Sequence, residues 1–284
     1  MTSHSLGPCC FQGVKHEGEA HGRFKTIGDF EAYVTEPASP NGCVLSPPSS
    51  SEDLSNRQPV SRISLGINST TPSLLQTNTR QTGTSKCVII ANHRTDNLCR
   101  YLVVMPDLFY GDPVPLNADM ATFNLPNWMQ GQLGAKKIPH TPQTVDPIVE
   151  QSLQTLRGKY KCKTIAVAGY CFGAKYAVRA LGSSNIDAAF IAHPVMISKE
   201  ELENVKGPLA IAAAEIDTIF PASERHQSEE TLKKLGTPFQ INLYSGVHHG
   251  FAVRCDLSDR VQRLAKESAF LLALQWFEAY ALKK

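Results

Sequence analysis

One cysteine has the sequence surroundings of a catalytic nucleophile. Cys171 is the centre of the motif Gly169-Tyr170-Cys171-Phe172-Gly173, which follows an apolar run and precedes a helical pattern. A sharp strand-to-helix turn of this kind presents the central side chain at the end of a strand, and its crowding requires small flanking residues. The helix N-terminus would favour a thiolate, and the N–H of Phe172 would point at a developing oxyanion. A buried cysteine in a tight turn is the alternative that this motif alone leaves open.

Two more residues have the types and the chain order of an acid and a base. Asp217 follows the apolar run 209–214, and His249 follows the run 239–244. Functional groups of open α/β sheets lie at the C-terminal ends of strands, and the order nucleophile, acid, histidine is that of α/β-hydrolases. Asp217 would orient His249, which would take the thiol proton and later activate water. Each residue alone could be an ordinary turn residue, but the three together favour catalysis.

The elements that must position these residues alternate along the second half of the chain. Short apolar runs separated by helical patterns predict an α/β fold, with a mostly parallel central sheet and helices on both faces. A hairpin around Gly28-Asp29 is predicted at 24–35. Further strands are predicted at 86–91, 102–105, 164–168, 188–192, 209–214 and 239–244, and helices at 144–158, 172–181, 224–235 and over roughly the last 25 residues. The apolar face of the last helix is predicted to contain Val261, Leu264, Ala265, Phe270, Leu271, Leu274, Trp276 and Phe277.

A polar segment interrupts this pattern. Residues 37–86 are rich in Ser, Thr, Asn, Gln and Pro and show no sustained periodicity. Such a composition buries too little apolar surface to form a core. We therefore expect residues 1–284 to form a single α/β-hydrolase domain in which 38–85 is a disordered or atypical insert that proteases cut readily.

Composition limits the partners and the compartment. The formal net charge is +2 and no run of five or more like charges occurs, which argues against a nucleic acid or an anionic membrane as partner. No secretory signal and no apolar stretch of membrane-spanning length is found. Eight scattered cysteines in such a chain are expected to be free thiols in a reducing compartment. These features predict a cytoplasmic protein that is a monomer or a weak homodimer.

Several motifs together resemble the dienelactone hydrolase family in its fungal branch. They are CCFQGVKHEG at 9–18, VVMPDLFYGDPVPLN at 103–117, GYCFGAKYAVRAL at 169–181, AAAEIDTIFP at 212–221 and LYSGVHHGFAVR at 243–254. The resemblance covers residues 8–36 and 101–282.

The resemblance implies an eight-stranded α/β-hydrolase fold and hydrolysis of enol-lactones and related small esters, without a metal or an organic cofactor. The catalytic triad it implies is Cys171, Asp217 and His249, with His249 rather than His248 because the histidine of the family precedes Gly-Phe. Arg254 is similar to an arginine that binds the substrate carboxylate, although its spacing from the histidine differs from that of bacterial members. A solvated surface arginine is the alternative.

The chain departs from the family pattern between Pro37 and Arg100. There the family has a strand, a loop that supplies the second oxyanion N–H, and a helix. Only about ten residues separate Ala91 from Leu102, which is too short for a parallel crossover with its helix. The sequence therefore indicates either an incorrectly spliced or frame-shifted gene, or a diverged paralogue. In both cases we expect a weak or inactive hydrolase.

Metal binding is not predicted. His16-Glu17 with His21 gives the spacing HExxxH rather than the HExxH of a zinc helix, and neighbouring glycines argue against a helix. Cys9 and Cys10 cannot chelate a metal as an isolated pair and are interpreted as inert.

Three further side chains are assigned to packing. His193 precedes a proline at the end of a strand and could line a pocket, but a hydrogen-bonded structural histidine is favoured. Trp128 and Phe123 could cap the site, but a core role is favoured.

Three functional hypotheses remain from the sequence. The first is a cysteine hydrolase of small lactones or esters. The second is a catalytically weak or inactive α/β-hydrolase scaffold that binds a small ligand or a partner. The third is a redox sensor built on a thiolate at Cys171, which would need a resolving cysteine that no motif supplies.

Overall fold

The computed structural model describes residues 2–14, 23–35, 86–92, 101–115 and 117–282. The predicted insert at 38–85 lies outside the described residues. So do His16, Glu17 and His21, on which the weak zinc pattern was based.

Strands and helices alternate along the described chain. The strands are β1 Arg23–Ile27, β2 Phe30–Thr35, β3 Lys86–Asn92, β4 Tyr101–Pro106, β5 Ile165–Tyr170, β6 Ala188–Ala192, β7 Leu209–Ile216 and β8 Phe239–His248. The α-helices are α1 Leu125–Met129, α2 Pro142–Gly158, α3 Phe172–Gly182, α4 Lys199–Glu203, α5 Ala222–Leu235, α6 Phe251–Arg254 and α7 Arg260–Phe277. A 3₁₀ turn at Pro8–Cys10 and a π-helical turn at Glu278–Leu282 complete the described elements.

All described strands belong to one sheet in the order β1-β2-β4-β3-β5-β6-β7-β8. Strands β5 to β8 pair in parallel. Strand β2 is antiparallel to β1 and β4, and β3 is antiparallel to β4 and β5. Only β2 and β3 therefore run against the other six described strands. This arrangement confirms the predicted α/β-hydrolase fold and the predicted hairpin.

The central strands are apolar because both of their faces are covered. Every residue of β5 and β6 is buried. Successive residues point to opposite faces, so Val167 belongs to one core and Ala168 to the other. Helix α3 packs on β5 and β6 on the first side, and α7 packs on β6, β7 and β8 on the second. The sheet therefore presents the ends of β5, β7 and β8 from a rigid, closely packed base.

Strand β3 runs antiparallel to its neighbours, which explains how so few residues can connect it to β4. Its pairing places Lys86 opposite Tyr170 and Ala91 opposite Ile165. Because an antiparallel return needs no crossover helix, residues 93–100 suffice to connect it to β4. The short spacing that excluded a parallel crossover is thus consistent with the observed direction. The last residue of β3, Asn92, therefore lies near the start of β5, whereas Cys171 follows the end of β5.

The predicted apolar face of α7 is wrong at three positions. Val261, Leu264 and Leu271 are exposed. Apolar residues occur all round this helix, so the periodicity did not single out one face. The buried positions are Ala265, Lys266, Ala269, Leu272, Ala273, Leu274, Trp276 and Phe277. The buried face combines three alanines with Leu272, Leu274 and two aromatic residues.

Two expectations from composition can be compared with the described residues. None of the helices in the described ranges is long and apolar enough to cross a membrane. Five cysteines have described side chains, namely Cys9, Cys10, Cys162, Cys171 and Cys255, and none of these five forms a disulfide.

Candidate active site

The turn at Cys171 has the strained geometry that the motif predicts. Cys171 joins β5 to α3 with φ 51° and ψ −116°, a region that costs a non-glycine residue about 1–3 kcal/mol. Its N–H donates to the carbonyl of Ala192 at 3.1 Å. A Cβ atom at Gly169 would lie 2.5 Å from the carbonyl oxygen of Gly173, so a side chain cannot be accommodated there. The glycine motif therefore reflects close contact between the end of the strand and the first turn of the helix.

The structure brings Cys171, His249 and Asp217 into one hydrogen-bonded chain. The Nε2 atom of His249 is 3.4 Å from the Cys171 sulfur, and its Nδ1 atom is 2.9 Å from Oδ2 of Asp217. The other carboxylate oxygen, Oδ1, accepts from the N–H groups of Ile219 and Phe220 at 2.8 and 3.0 Å. All three side chains are buried. Because the carboxylate is held on both oxygens, it fixes Nδ1 as the protonated nitrogen of the histidine.

Strand pairing explains why two residues far apart in sequence meet. Strands β7 and β8 extend further than predicted, and their last pair is Ile216 with His248. Asp217 and His249 each follow directly after that pair. Since β7 and β8 are parallel, both residues leave the sheet at the same edge. His248 is exposed, whereas His249 is buried, which agrees with the choice between the two made from the sequence.

The local electrostatics favour a thiolate–imidazolium pair. Burial raises the pKa of the Cys171 thiol, but the neighbouring Cys10, His193 and His249 outweigh it and hold that pKa well below its usual value. Burial lowers the pKa of His249, whereas its bonds to Asp217 and Cys171 raise it to about 9. Burial also raises the pKa of Asp217, but the bond from His249 gives a net lowering. Near neutral pH these directions leave the sulfur negative and the imidazole positive.

Cys10 is the unexpected member of the site. Its sulfur lies 3.6 Å from Nε2 of His249, and the ligand atoms of Cys10, Cys171 and His249 all lie within 4.8 Å of one another. The structure thus places Cys10 beside Cys171, a position that the sequence did not indicate, and the interpretation of Cys10 as inert stays a prediction. No motif links Cys10 to Cys171, and adjacency to Cys9 was the only local signal. The second thiol that the redox-sensor hypothesis would need therefore lies next to Cys171, although no sequence motif indicated it.

Backbone hydrogen bonds hold the N-terminal segment, residues 2–14, against the C-terminal ends of the strands. The N–H groups of Thr2 and Ser3 donate to the carbonyl of Ile197 at 3.1 and 3.2 Å. The N–H of His4 donates to the carbonyl of Ile219 at 2.8 Å. Backbone groups carry no side-chain pattern, so the sequence gives no sign of these bonds. Together with the 3₁₀ turn at Pro8–Cys10, they place Cys10 in the site.

Arg254 is buried beside the site rather than exposed. Its Nε donates to the carbonyl of Gln12 at 2.6 Å and its Nη2 to the carbonyl of Cys9 at 2.8 Å. A Cβ atom at Gly250 would lie 2.4 Å from the guanidinium carbon, and Gly250 has a positive φ of 91°. The alternative of a solvated surface arginine is therefore wrong, because this guanidinium joins α6 to the N-terminal segment. The substrate-binding role suggested by the resemblance remains a prediction.

His193 and Trp128 have different outcomes. His193 is buried close enough to Cys171 to lower the pKa of that thiol, but neither of its ring nitrogens makes a hydrogen bond of normal geometry to a described residue, unlike the hydrogen-bonded structural histidine that was expected. Its ring centroid is 4.9 Å from that of His249, and burial lowers its pKa to about 4. Trp128 is a core residue, as favoured from the sequence. It packs against Phe172, and its indole N–H donates to the carbonyl of Asp112.

Phe172, the oxyanion donor expected from the sequence, has a backbone position that suits this role. Phe172 is the first residue of α3, so its N–H has no acceptor within the helix. The direction of β3 argues against a second donor from the loop that follows it in the family pattern, because β3 ends at Asn92, beside the start of β5, whereas Cys171 follows the end of β5. The residue of β3 that pairs beside the turn is Lys86. A donor from this part of the chain would therefore have to precede β3.

The fold and this geometry define the chain as an α/β hydrolase: a strained cysteine lies between a strand and a helix, and an acid and a histidine follow the last two strands. The sequence model of the dienelactone hydrolase family matches residues 98–281. The chain belongs to the dienelactone hydrolase family.

Fungal hydrolases are similar to the chain over its full length. Hydrolase tropI of Talaromyces stipitatus is 42% identical over 284 residues, covering all of both chains. Hydrolase pyvD of Aspergillus violaceofuscus is 38% identical over 286 residues, again covering all of both. Dienlactone hydrolase 1 of Gibberella moniliformis is 27% identical, over 66% of this chain and 71% of its own. These findings confirm the resemblance to the fungal branch.

Proposed function

We propose that the chain hydrolyses a small lactone or carboxylic ester of the dienelactone type through a thioester on Cys171. The observation that carries this proposal is the buried chain of hydrogen bonds from Asp217 through His249 to the Cys171 sulfur. Membership of a hydrolase family supports it. The proposed substrate is a small molecule, with neither a nucleic acid nor a membrane as partner.

Cys171 and His249 act in both halves of the reaction, first in forming a thioester and then in its hydrolysis. The Cys171 thiolate attacks the substrate carbonyl carbon, and the N–H of Phe172 stabilises the negative oxygen that forms. The imidazolium of His249 then donates its Nε2 proton to the departing alkoxide, which leaves a thioester. Neutral His249 next takes a proton from water, and the hydroxide attacks the thioester. The products are a carboxylic acid, an alcohol and the restored thiolate–imidazolium pair; with a lactone, acid and alcohol remain in one molecule.

An acyl-trapping experiment tests this function. Turnover of p-nitrophenyl acetate is quenched with acid, and peptide mass spectrometry should find the acetyl group on the peptide that contains Cys171. Prior treatment with iodoacetamide should abolish both turnover and acetylation. Turnover that survives alkylation of Cys171 would contradict the proposal.

The pH dependence provides a second readout. The protonated form of His249 donates to the leaving group, and its pKa is raised to about 9. The value of kcat/KM should therefore fall as the pH rises through about 9. Asp217→Asn should move this alkaline limb to lower pH, because the bond to Asp217 helps to raise the pKa of His249. A limb that does not move would contradict the role assigned to Asp217.

A catalytically weak scaffold is the second candidate, and the direction of β3 favours it. Losing one oxyanion donor costs about 10²–10³ in rate. We therefore expect this chain to be slower than a form that carries the strand, loop and helix of the family pattern in place of residues 37–100. Measuring kcat/KM of both forms on one lactone tests this, and equal rates would mean that the present segment supplies a working donor.

A further inference from the structure

We propose that Cys10, Cys171 and His249 form a binding site for a soft divalent cation of the zinc class, and that occupation of this site blocks hydrolysis. The three side chains come from the N-terminal segment, the β5–α3 turn and the end of β8. Two thiols and one imidazole are ligands that zinc prefers, and three protein ligands with one open position is a common arrangement. The blocking effect depends on the proposed function, whereas the binding site does not.

The distances between the ligand atoms match a tetrahedral site. Zinc bonds of about 2.3 Å to sulfur and 2.0–2.1 Å to nitrogen place two such ligands about 3.6 Å apart at tetrahedral angles. The Nε2 atom of His249 lies 3.4 Å from the Cys171 sulfur and 3.6 Å from the Cys10 sulfur. The two sulfurs lie within 4.8 Å, so they need to approach by no more than about 1 Å to reach the tetrahedral separation of about 3.8 Å.

The neighbouring groups are those that support a metal-bound histidine. Nδ1 of His249 donates to the Asp217 carboxylate, which leaves Nε2 facing both sulfurs. A carboxylate behind a histidine is the usual outer partner of a zinc-bound imidazole. The same bond that prepares His249 as a base thus prepares it as a ligand.

His193 places a further buried polar side chain beside the three ligands. It is fully buried, its ring contacts that of His249, and both of its nitrogens have no hydrogen-bond partner among the described residues. Buried polar atoms of this kind usually have a partner, such as an ordered water or an ion. A cation on the three ligands, with a water in its fourth position, would provide one.

Cation binding and hydrolysis exclude each other because both require the Cys171 sulfur and Nε2 of His249. The cation forms bonds to the sulfurs of Cys10 and Cys171 and to Nε2 of His249, and any protons on the two thiols are released to the buffer. No electron is transferred. With its sulfur bound, Cys171 cannot attack a carbonyl, and with Nε2 bound, His249 cannot move a proton.

Cadmium titration tests the site without requiring turnover. The protein is kept reduced with a phosphine and freed of metal by dialysis against a chelator, and thiolate-to-cadmium absorbance is followed in the ultraviolet. The wild type should bind one cadmium ion per chain. Cys10→Ser and Cys171→Ser should each lose about half of the absorbance and about 100-fold or more in affinity, since a lost ligand costs at least as much as a lost outer partner. Cys162→Ser, which removes a buried thiol elsewhere, should leave both unchanged.

Zinc inhibition then tests the consequence. Each protein is compared with its own metal-free rate, and the zinc concentration for half inhibition should rise about 100-fold in Cys10→Ser. Cys10→Ala, with a circular dichroism spectrum as a check of folding, provides a second variant. Cadmium absorbance that is equal in wild type and both Cys10 variants would overturn the site. Cadmium binding through Cys10 in a protein that hydrolyses no ester would support the site and contradict only the proposed function.

Discussion

The turn at Cys171 and the N-terminal segment both deliver a thiol to one site, but they do so by different means. Cys171 is positioned by its own neighbours: strand β5, the glycine contact and helix α3 all lie within a few residues of it. Cys10 is positioned by backbone bonds to Ile197 and Ile219 and by the guanidinium of Arg254.

This difference teaches where sequence patterns stop being informative. A local turn has steric demands that fix residue types at fixed spacing, so it leaves a motif. A segment held through carbonyl and N–H groups makes no such demands on side chains, because every residue type except proline offers both groups. The first region can therefore be identified from the sequence, whereas the second requires the structure.

The largest effect on activity should come from replacing Cys171, the thiol that is positioned by its own neighbours in the sequence. Cys171→Ala should reduce ester hydrolysis to the uncatalysed background, a loss on the order of 10⁶ if the enzyme is fully active. Cys162→Ala is the matched control, because Cys162 is buried but distant from the triad, and it should keep the wild-type rate. The measurement is kcat/KM on p-nitrophenyl acetate. Wild-type turnover in Cys171→Ala would contradict the nucleophile assignment.

The next effect distinguishes two adjacent histidines. His249→Gln should lower kcat by about 10⁴-fold, because it removes the proton carrier and leaves only binding and oxyanion stabilisation. His248→Gln should change kcat little, because His248 is exposed and lies outside the hydrogen-bonded chain. Steady-state kinetics of both variants provide the comparison. The reverse ranking would mean that the end of β8 is shifted by one residue.

A smaller effect should follow from replacing Arg254, whose guanidinium joins α6 to the N-terminal segment. Arg254→Gln removes the donors to the carbonyls of Cys9 and Gln12, and leaving such buried groups unpaired costs about 1–3 kcal/mol each. We expect a lower melting temperature and faster proteolysis near residues 9–12. Arg263→Gln, on the exposed side of α7, is the control. If Arg254 instead binds a substrate carboxylate, KM should rise for a carboxylate-bearing ester and not for p-nitrophenyl acetate.

The smallest effect should come from one anchor of the N-terminal segment. The hydroxyl of Ser3 accepts a hydrogen bond from the N–H of Ile197 at 2.8 Å, in a fully buried position. Ser3→Ala should lower the free energy of unfolding by about 1 kcal/mol, which thermal denaturation can measure. Ser183→Ala, which removes a local bond at the end of α3, is the comparison. A loss of Ser3 that changes neither stability nor the reactivity of Cys10 would mean that this segment is not held as described.

The sequence by itself determined the fold class. It also predicted the sharp turn at Cys171 and the choice of Asp217 and His249 as the acid and the base that follow two strands. Buried parallel strands, a crowded turn and residues at strand ends each impose residue types at particular places, and those types can be read without coordinates. It also indicated that the 86–91 strand could not be joined to β4 by a parallel crossover. What it could not supply was the direction of that strand.

Only the tertiary structure decided which groups surround the nucleophile. The position of Cys10, the enclosed guanidinium of Arg254 and the unpartnered nitrogens of His193 all depend on contacts between residues far apart in the chain. The buried face of α7 was also decided there, because apolar residues occur all round this helix and only the packing against the sheet selects among them. The physical reason is the same in each case: such contacts depend on how distant backbones pack together, and packing over long range leaves no fixed spacing in the sequence.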